Sequence, residues 1–542
     1  MILRNTLNFI NKSFENILKK FRKIYLSSEY YEKKISKFKN QNLIYKPSPH
    51  LLSSLINYQT KKINVDDIVT DNLWDNENIN VNNFKKLNNF YWFFSLDLKS
   101  SKKNTQNIVY EWIKKNFKYH SKSWEFDLTS KRIIAWLSNH NLTIENSDTE
   151  YLNLFNKVIQ KQTNHLINEV NHSKKVDNKI IGCAAIILVG ICYKDEKNYL
   201  TFGLNLLKKI SNTTFDNYGF PKSRNIKQLI FYLKYYILIR EWFKEAQIDV
   251  PEHINETIHY LGQGYAFIWQ NIRSDILMNG NNISNNSEFD QYLKRFNYKF
   301  KNENKELGGY AILYNKKISI IVDVGSPPSN KFSTKYQSGA LSFEINSNGK
   351  KLICNCGEYN GKNNKLIELS KSTATHSTLV IDDDSSCHYK KNDGNYFVKN
   401  NLKILKKNIV FEKEYWKIKA AHDGYSKKYN TTHEREIEFY PNKFKFIGTD
   451  KIVNDKTNLN IKFDIRFHLD PNTKLMKTQD NKAILIELED EGWKFTCDKY
   501  DINIDNGLYF GNKNSYTQNQ NIFISGITNS QNENVVWNLN KI

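Results

Sequence analysis

Lys371 to Ser386 reads KSTATHSTLVIDDDSS. Five of its first eight residues are Ser or Thr, and one imidazole, His376, stands among them. A histidine titrates close to neutrality, so this ring has the right chemistry for general acid or base work. The bland alternative is that it bonds the neighbouring hydroxyls and fixes the strand begun by Leu379 to Ile381. Cys354 and Cys356 form a CxC pair at the end of an expected strand, where alternate residues share a face. A zinc site normally draws on two such clusters and the chain has one, so the pair reads as two small core residues. With six cysteines in 542 residues, the chain is not a disulfide framework. It contains no phosphate-binding Gly-rich loop, no Ser-His-Asp nucleophile signature and no HExxH helix.

The elements that must position these residues change character along the chain. Aromatic residues are 14% of the total, enough to fill a large core and too many for a disordered protein. From about residue 80 to 270 the pattern is helical. Ile226, Leu229, Leu233 and Ile237 fall on one face, with Lys227, Lys234 and Glu241 on others. Val250-Pro251 must lie beyond that helix, since proline disfavours helix in the residue before it. Ile180 to Tyr193 is nearly all apolar, too short to span a bilayer, and reads as a buried helix. Met278 to Asp290 is polar and Asn-rich and reads as a linker. Beyond about residue 305 the period becomes two. Ile461, Phe463, Ile465, Phe467 and Leu469 take one face of a strand, and Lys462, Asp464, Arg466 and His468 the other. The organisation expected is a basic, partly helical lead-in over 1–80, a helical domain over 81–275, a linker over 276–304 and a β-sandwich over 305–542. Met1 to Ser27 is amphipathic and basic, without the uninterrupted apolar core of a signal peptide.

The net charge of +22 suggests an anionic partner: an acidic polysaccharide, nucleic acid or a membrane surface. Its basic residues are dispersed, and no zinc knuckle or RNP signature accompanies them, so nucleic acid is not expected.

With the two halves in place, the histidine segment resembles the Ser-Thr-x-x-His-Ser-Thr-Leu segment of the heparinase II/III-like family. The order of neighbouring motifs agrees: GGYAIL (Gly308 to Leu313), ISIIVDVGSPP (Ile318 to Pro328), SGALSFEIN, KLICNCGEY, then HDGY (His422 to Tyr425), HERE (His433 to Glu436) and RFHLDP (Arg466 to Pro471). NNFYWFFSLDL, SWEFDLTSKRIIAWLS and QTNHL are similar to the helical portion of these proteins. The resemblance spans roughly residues 85 to 540. It implies an incomplete α/α toroid followed by an antiparallel β-sandwich, and a lyase that cleaves an acidic glycan by β-elimination beside a uronic acid. It also implies a cell-envelope or periplasmic location, whereas the lack of a visible signal peptide reads as cytoplasmic.

That chemistry needs the uronate carboxylate neutralised, a base for the C5 proton and an acid for the leaving glycosidic oxygen. By resemblance, Asn164 bonds the carboxylate and His165 supports it. The family's catalytic Tyr follows an Asp-Gly turn, here Phe215 to Leu229. Motif alignment puts Gln228 at its position, so Tyr218 in the turn is the preferred substitute, with Tyr232 and Tyr235 as further choices. Arg224 either binds an anionic sugar or caps the turn. His376 either faces the interdomain cleft or holds its own strand. His422 and His433 either line that cleft, with Arg435 meeting a carboxylate, or are exposed loop residues. His468 reads as a surface strand residue. Some relatives hold zinc with the equivalent of His376 and two further residues, which correspond here to Gln337 and Asn355. Two amides and an imidazole are a poor zinc set, so no cofactor is required and no tightly bound zinc is expected. The departures at Gln228, Gln337 and Asn355 keep a second reading open: a glycan-binding protein without lyase activity.

Overall fold

The computed structural model describes residues 14, 17–38, 42–56, 64, 73–74, 79–97, 99–193, 197–284, 286–399, 402–454, 460–512 and 515–542. They belong to two compact units. The first comprises Met1–Thr213, Phe231–Ile258 and Asn286–Tyr298, and the second Thr214–Ile230, His259–Asn285 and Lys299–Ile542.

The first unit is helical. Its long helices are Lys102–Asn116, Phe126–Ser138, Thr149–Glu169, Val176–Cys192 and Lys197–Thr214. Side chains open two of them in the usual way: Ser101 accepts from the Asn104 N–H and Asp148 from the Tyr151 N–H, each satisfying a donor that the first turn leaves unpaired. Ile180 to Val189 is buried on all sides, as an apolar stretch of that length requires. The periodicity from Ile226 to Ile237 also holds, with all four apolar positions buried. That helix, Ile226–Glu245, ends ahead of Pro251. Glu241, on another face, is buried as well and accepts from the Tyr298 hydroxyl at 2.5 Å. Among the described residues no helix is long and apolar enough to cross a membrane.

The second unit is built on antiparallel sheets. One runs in the order Glu306–Leu307, Tyr310–Tyr314, Ile318–Asp323, Phe343–Ser347, Lys350–Ile353. An eight-stranded sheet carries Trp416–His422, Thr431–Tyr440, Lys445–Asn454 and Asn532–Lys541 near one end of its order. A third pairs Lys462–His468 with Thr517–Ile527 and Leu379–Ile381. Inward positions from all three meet in one core: Phe343 stacks on Trp537 at 5.5 Å, and Phe467 reaches Trp537 at 5.0 Å and Phe495 at 4.8 Å. Each such ring contributes roughly 1.5–3 kcal/mol by leaving water. Phe463, Ile465, Phe467 and Leu469 face inward as alternation requires.

Two expectations fail for the same physical reason. His468 is buried, because the turn at Ser372–Thr378 covers that end of its strand. Its Nε2 bonds the Ala374 carbonyl at 2.9 Å, and its backbone N–H donates to Ser377 Oγ at 2.9 Å. The Asn-rich stretch after Leu277 is not solvated either: Met278, Asn279, Asn281 and Asn282 are buried. The Asn281 and Asn282 amides bond backbone that no strand satisfies. Asn282 Nδ2 donates to the Glu358 and Phe510 carbonyls, and Asn281 Nδ2 to the Ile276 carbonyl, each at 2.6 Å. Asparagine here satisfies buried backbone groups where a sequence reading sees a loop.

Candidate functional site

A cavity of about 850 Å³ opens in the second unit, walled by the Asp216–Arg224 turn, residues 304–309, residues 325–329 and Lys407. The turn is tight. Asp216 Oδ1 accepts from the Tyr218 and Phe220 N–H groups at 2.9 Å each, and Asp216 N–H donates to the Phe220 carbonyl at 2.8 Å. Gly219 sits at φ +76°, and a Cβ there would come within 2.3 Å of Tyr260 Cβ, so only glycine fits. The turn carries Tyr218 on its tip, 67% exposed, at the cavity wall.

Arg224 holds this wall. Its guanidinium donates to the carbonyls of Gly308 (3.0 Å), Gly309 (2.9 Å) and Gly325 (2.8 Å), and to Asp323 Oδ1 (2.6 Å). A Cβ on Gly309 or Gly325 would stand within 2.7 or 2.6 Å of Arg224, so bare backbone makes room for the guanidinium. Asp323 also accepts from Asn279 Nδ2 at 3.1 Å, and the Tyr310 hydroxyl donates to the Arg224 carbonyl at 2.7 Å. Arg224 therefore meets neither sequence alternative in simple form: it is a buried clasp that joins the turn to the first sheet. The charged side chains that reach the cavity besides it are Lys222, Lys407, Glu306 and Asp216, with Lys407 paired to Glu306.

The other expected site residues are not among those that line this cavity. Asn164 donates to the Ile35 carbonyl at 2.9 Å and accepts from the Tyr199 hydroxyl at 2.8 Å. His165 is buried between the Tyr31 hydroxyl (2.8 Å) and the Trp124 carbonyl (2.9 Å). Burial pushes its pKa down to about 3, so the ring is neutral. Tyr232 bonds Asp177 at 2.8 Å and Tyr235 bonds Tyr91 at 3.0 Å, both inside the helical unit. Gln228 accepts from Ser223 Oγ at 2.5 Å and does not line the cavity.

In the second unit, His376 is buried. Its Nδ1 carries the proton and donates to the Ser372 carbonyl at 2.9 Å, closing the turn, while Nε2 has no partner among the described residues. Burial pushes its pKa down to about 4. The hydroxyls around it tie the segment to its neighbours: Thr373 to the Ser338 carbonyl, Ser377 to Cys354 and Thr378 to Ala340. Gln337 spends its amide on the Gly357 and Ser370 carbonyls, and its Oε1 accepts from the Gly280 N–H. Asn355 donates to Glu344 and accepts from the Ser377 N–H. With both amides engaged and one imidazole left, this donor set does not fit zinc. Cys354 and Cys356 are buried free thiols.

His422 and His433 are neither loop residues nor exposed. They are register partners on adjacent strands and, with Arg435, point into the sandwich interior. The bonds run in one direction. Gly424 N–H donates to His422 Nδ1 (3.0 Å), so His422 carries its proton on Nε2 and donates to His433 Nδ1 (3.3 Å). His433 Nε2 then donates to Asp450 Oδ1 (2.7 Å). Arg435 grips the same carboxylate through Nε (2.7 Å) and Nη2 (3.1 Å), and Trp537 Nε1 completes it at 3.0 Å. Arg435 Nη1 also holds the Leu341 and Ser377 carbonyls. Burial lowers both imidazole pKa values. Asp450 sits well below the usual carboxylate range: burial alone would raise it, and the Arg435 charge with the His433 bond overcomes that. The sequence reading missed Asp450, Asp323, Asn279, Lys222, Glu306 and Lys407. Only Asp323 carried a signal, at the end of a strand followed by Val-Gly-Ser-Pro-Pro.

Residues 303–538 match the family model described as Heparinase II/III-like, C-terminal. No curated protein sequence matches the chain. Among solved structures the chain is similar to a heparan sulfate lyase from Pedobacter heparinus, at 13% identity and TM-score 0.64, covering 94% of this chain and 85% of that one. It is similar to a heparinase III at 15% identity and TM-score 0.69 (96% and 88%), and to another heparinase III structure at 14% and 0.67 (97% and 91%). The fold is thus the one the resemblance implied, a helical toroid followed by an antiparallel β-sandwich. Residues 303–538 are thus similar to the C-terminal domain of the heparinase II/III-like family.

Proposed function

We propose that this protein is a polysaccharide lyase that cleaves a uronate-containing glycan by β-elimination, and that the cavity beside Tyr218 receives the sugar. The observation that carries this reading is an exposed phenol on a hydrogen-bonded turn at the wall of a cavity whose rim bears Lys222 and Lys407. The lysines meet the uronate carboxylate and stabilise the charge that develops as the C5 proton leaves. Tyr218 moves the proton: the C5–H bond breaks, its electron pair forms the C4–C5 double bond, the C4–O bond breaks, and the glycosidic oxygen takes a proton. Arg224 keeps the turn in place through Asp323 and the glycine carbonyls. Asn164 and His165 serve the helical unit through Ile35, Tyr31 and Trp124. The heparinase-type fold supports an acidic glycan as substrate and an envelope or periplasmic site of action; a cytoplasmic site is the alternative, and cell fractionation separates the two.

A glycan-binding protein without chemistry is the second reading. It is favoured by one observation: among the described residues lining the cavity there is no imidazole. Purified protein and its Tyr218→Phe variant are incubated with alginate, heparan sulfate, chondroitin and acidic exopolysaccharides, and the ultraviolet absorbance of the conjugated double bond is followed. A rise that Tyr218→Phe loses supports the lyase. Retained binding to one glycan with no rise on any of them supports the second reading.

A further inference from the structure

We infer that the helix at residues 17–26 is a docking surface for an anionic lipid bilayer. Ile17, Leu18, Phe21 and Ile24 are 48%, 52%, 66% and 67% exposed. At 3.6 residues per turn these four fall within an arc of roughly 120°. The other side of the helix is already used. Leu26 is buried in a cluster with Tyr31, Ile35 and Trp124, and Arg22 pairs with Glu169 and donates to the Asn168 carbonyl. The helix is thus fastened to the helical unit along one side, and an apolar stripe is turned outward into water. Scattered exposed apolar residues need no explanation, but four on one face form a patch of the kind that marks an interaction surface.

Charge decides what covers it. Lys19, Lys20 and Lys23 lie exposed on the remaining arc. Across residues 1–28 the sequence holds Arg4, Lys12, Lys19, Lys20, Arg22 and Lys23 against one carboxylate, Glu15. A second copy laid on the stripe would bring lysines against lysines, without the acidic partners that flank paired helices. A dissolved polysaccharide offers charge but no apolar depth. A bilayer carrying anionic headgroups offers both: the stripe sinks to the headgroup–acyl boundary and the lysines stay at the charged surface. The whole chain, at +22, adds to the attraction. This surface is independent of the cavity beside Tyr218.

Full-length protein is floated with vesicles of phosphatidylcholine alone and of phosphatidylcholine mixed with phosphatidylglycerol. Binding to the mixed vesicles only, weakened by added salt, is expected. Phe21→Glu with Ile24→Glu should lower the bound fraction about tenfold or more. Lys19→Gln, Lys20→Gln and Lys23→Gln together should weaken it and flatten its salt dependence. Neither set should move the melting temperature, because every altered side chain is exposed. Equal flotation on both vesicles, no flotation on either, or variants that bind as well as the parent overturns the inference. So does a parent that sediments as a dimer which Phe21→Glu dissociates, since the stripe would then belong to a second copy.

Discussion

The second unit contains two polar constellations of opposite construction. In the sandwich interior, His422, His433, Arg435 and Asp450 form a closed chain in which nearly every donor and acceptor is spent inside the protein. At the cavity, Arg224 and Asp323 are spent in the same way, but they hold up a wall from which Tyr218 stands free in solvent. The residue types with the most catalytic promise are in the first constellation; the accessible ones are in the second. A closed polar network makes a fold specific and leaves little for a ligand, whereas a functional group needs rigid support and an open face.

The contrast predicts which changes cost stability and which cost activity. The largest effect on stability is expected from acid. His165, His376, His468, His422 and His433 are all held neutral by burial, with folded pKa values below the ordinary range. The unfolded chain takes up protons first, so stability is greatest above about pH 6.5 and falls as pH drops below it, by up to about 1.4 kcal/mol per pH unit for each ring. Chemical unfolding measured from pH 7.5 to 5 checks this, and a flat profile would mean that these rings titrate in the folded protein. Next is Arg435→Leu, which leaves the Asp450 carboxylate buried without its cation. A loss of about 3–5 kcal/mol is expected in denaturant unfolding, and a loss below about 1 kcal/mol would show that the network is not closed. Asp323→Asn comes third. It removes the charge opposite Arg224 and should cost about 1–3 kcal/mol while raising the KM for a glycan, because the turn loosens. The smallest effect on stability belongs to Tyr218→Phe, within about ±0.5 kcal/mol, and here activity should fall at least about a hundredfold. If Tyr218→Phe destabilised the protein and Arg435→Leu did not, the two constellations would have been assigned the wrong way round.

Part of this was readable in advance. The strand Thr431–Tyr440 alternates strictly, so His433 and Arg435 share the face of Ile437 and Phe439 and had to be buried with them. The alternative of an exposed loop for His433 runs against that rule. The Arg224 clasp was not readable. Its partners at Gly308, Gly309, Asp323 and Gly325 lie about a hundred positions along the chain, and most of the bonds go to backbone carbonyls, which have no sequence signature. The burial of Asn281 and Asn282 was hidden for the same reason, since an amide that serves buried backbone has the composition of a loop.

The sequence by itself determined the two periods, and with them a helical half and a sandwich half. The period of an apolar stripe is a local property, set by the geometry of one helix or one strand. It also determined the order of motifs by which residues 303–538 resemble the heparinase II/III-like proteins. The tertiary structure alone decided which polar residues are open to a ligand. Exposure depends on what other segments lay over a side chain: a turn over His468, a neighbouring strand beside His433, and no described segment over the phenol of Tyr218.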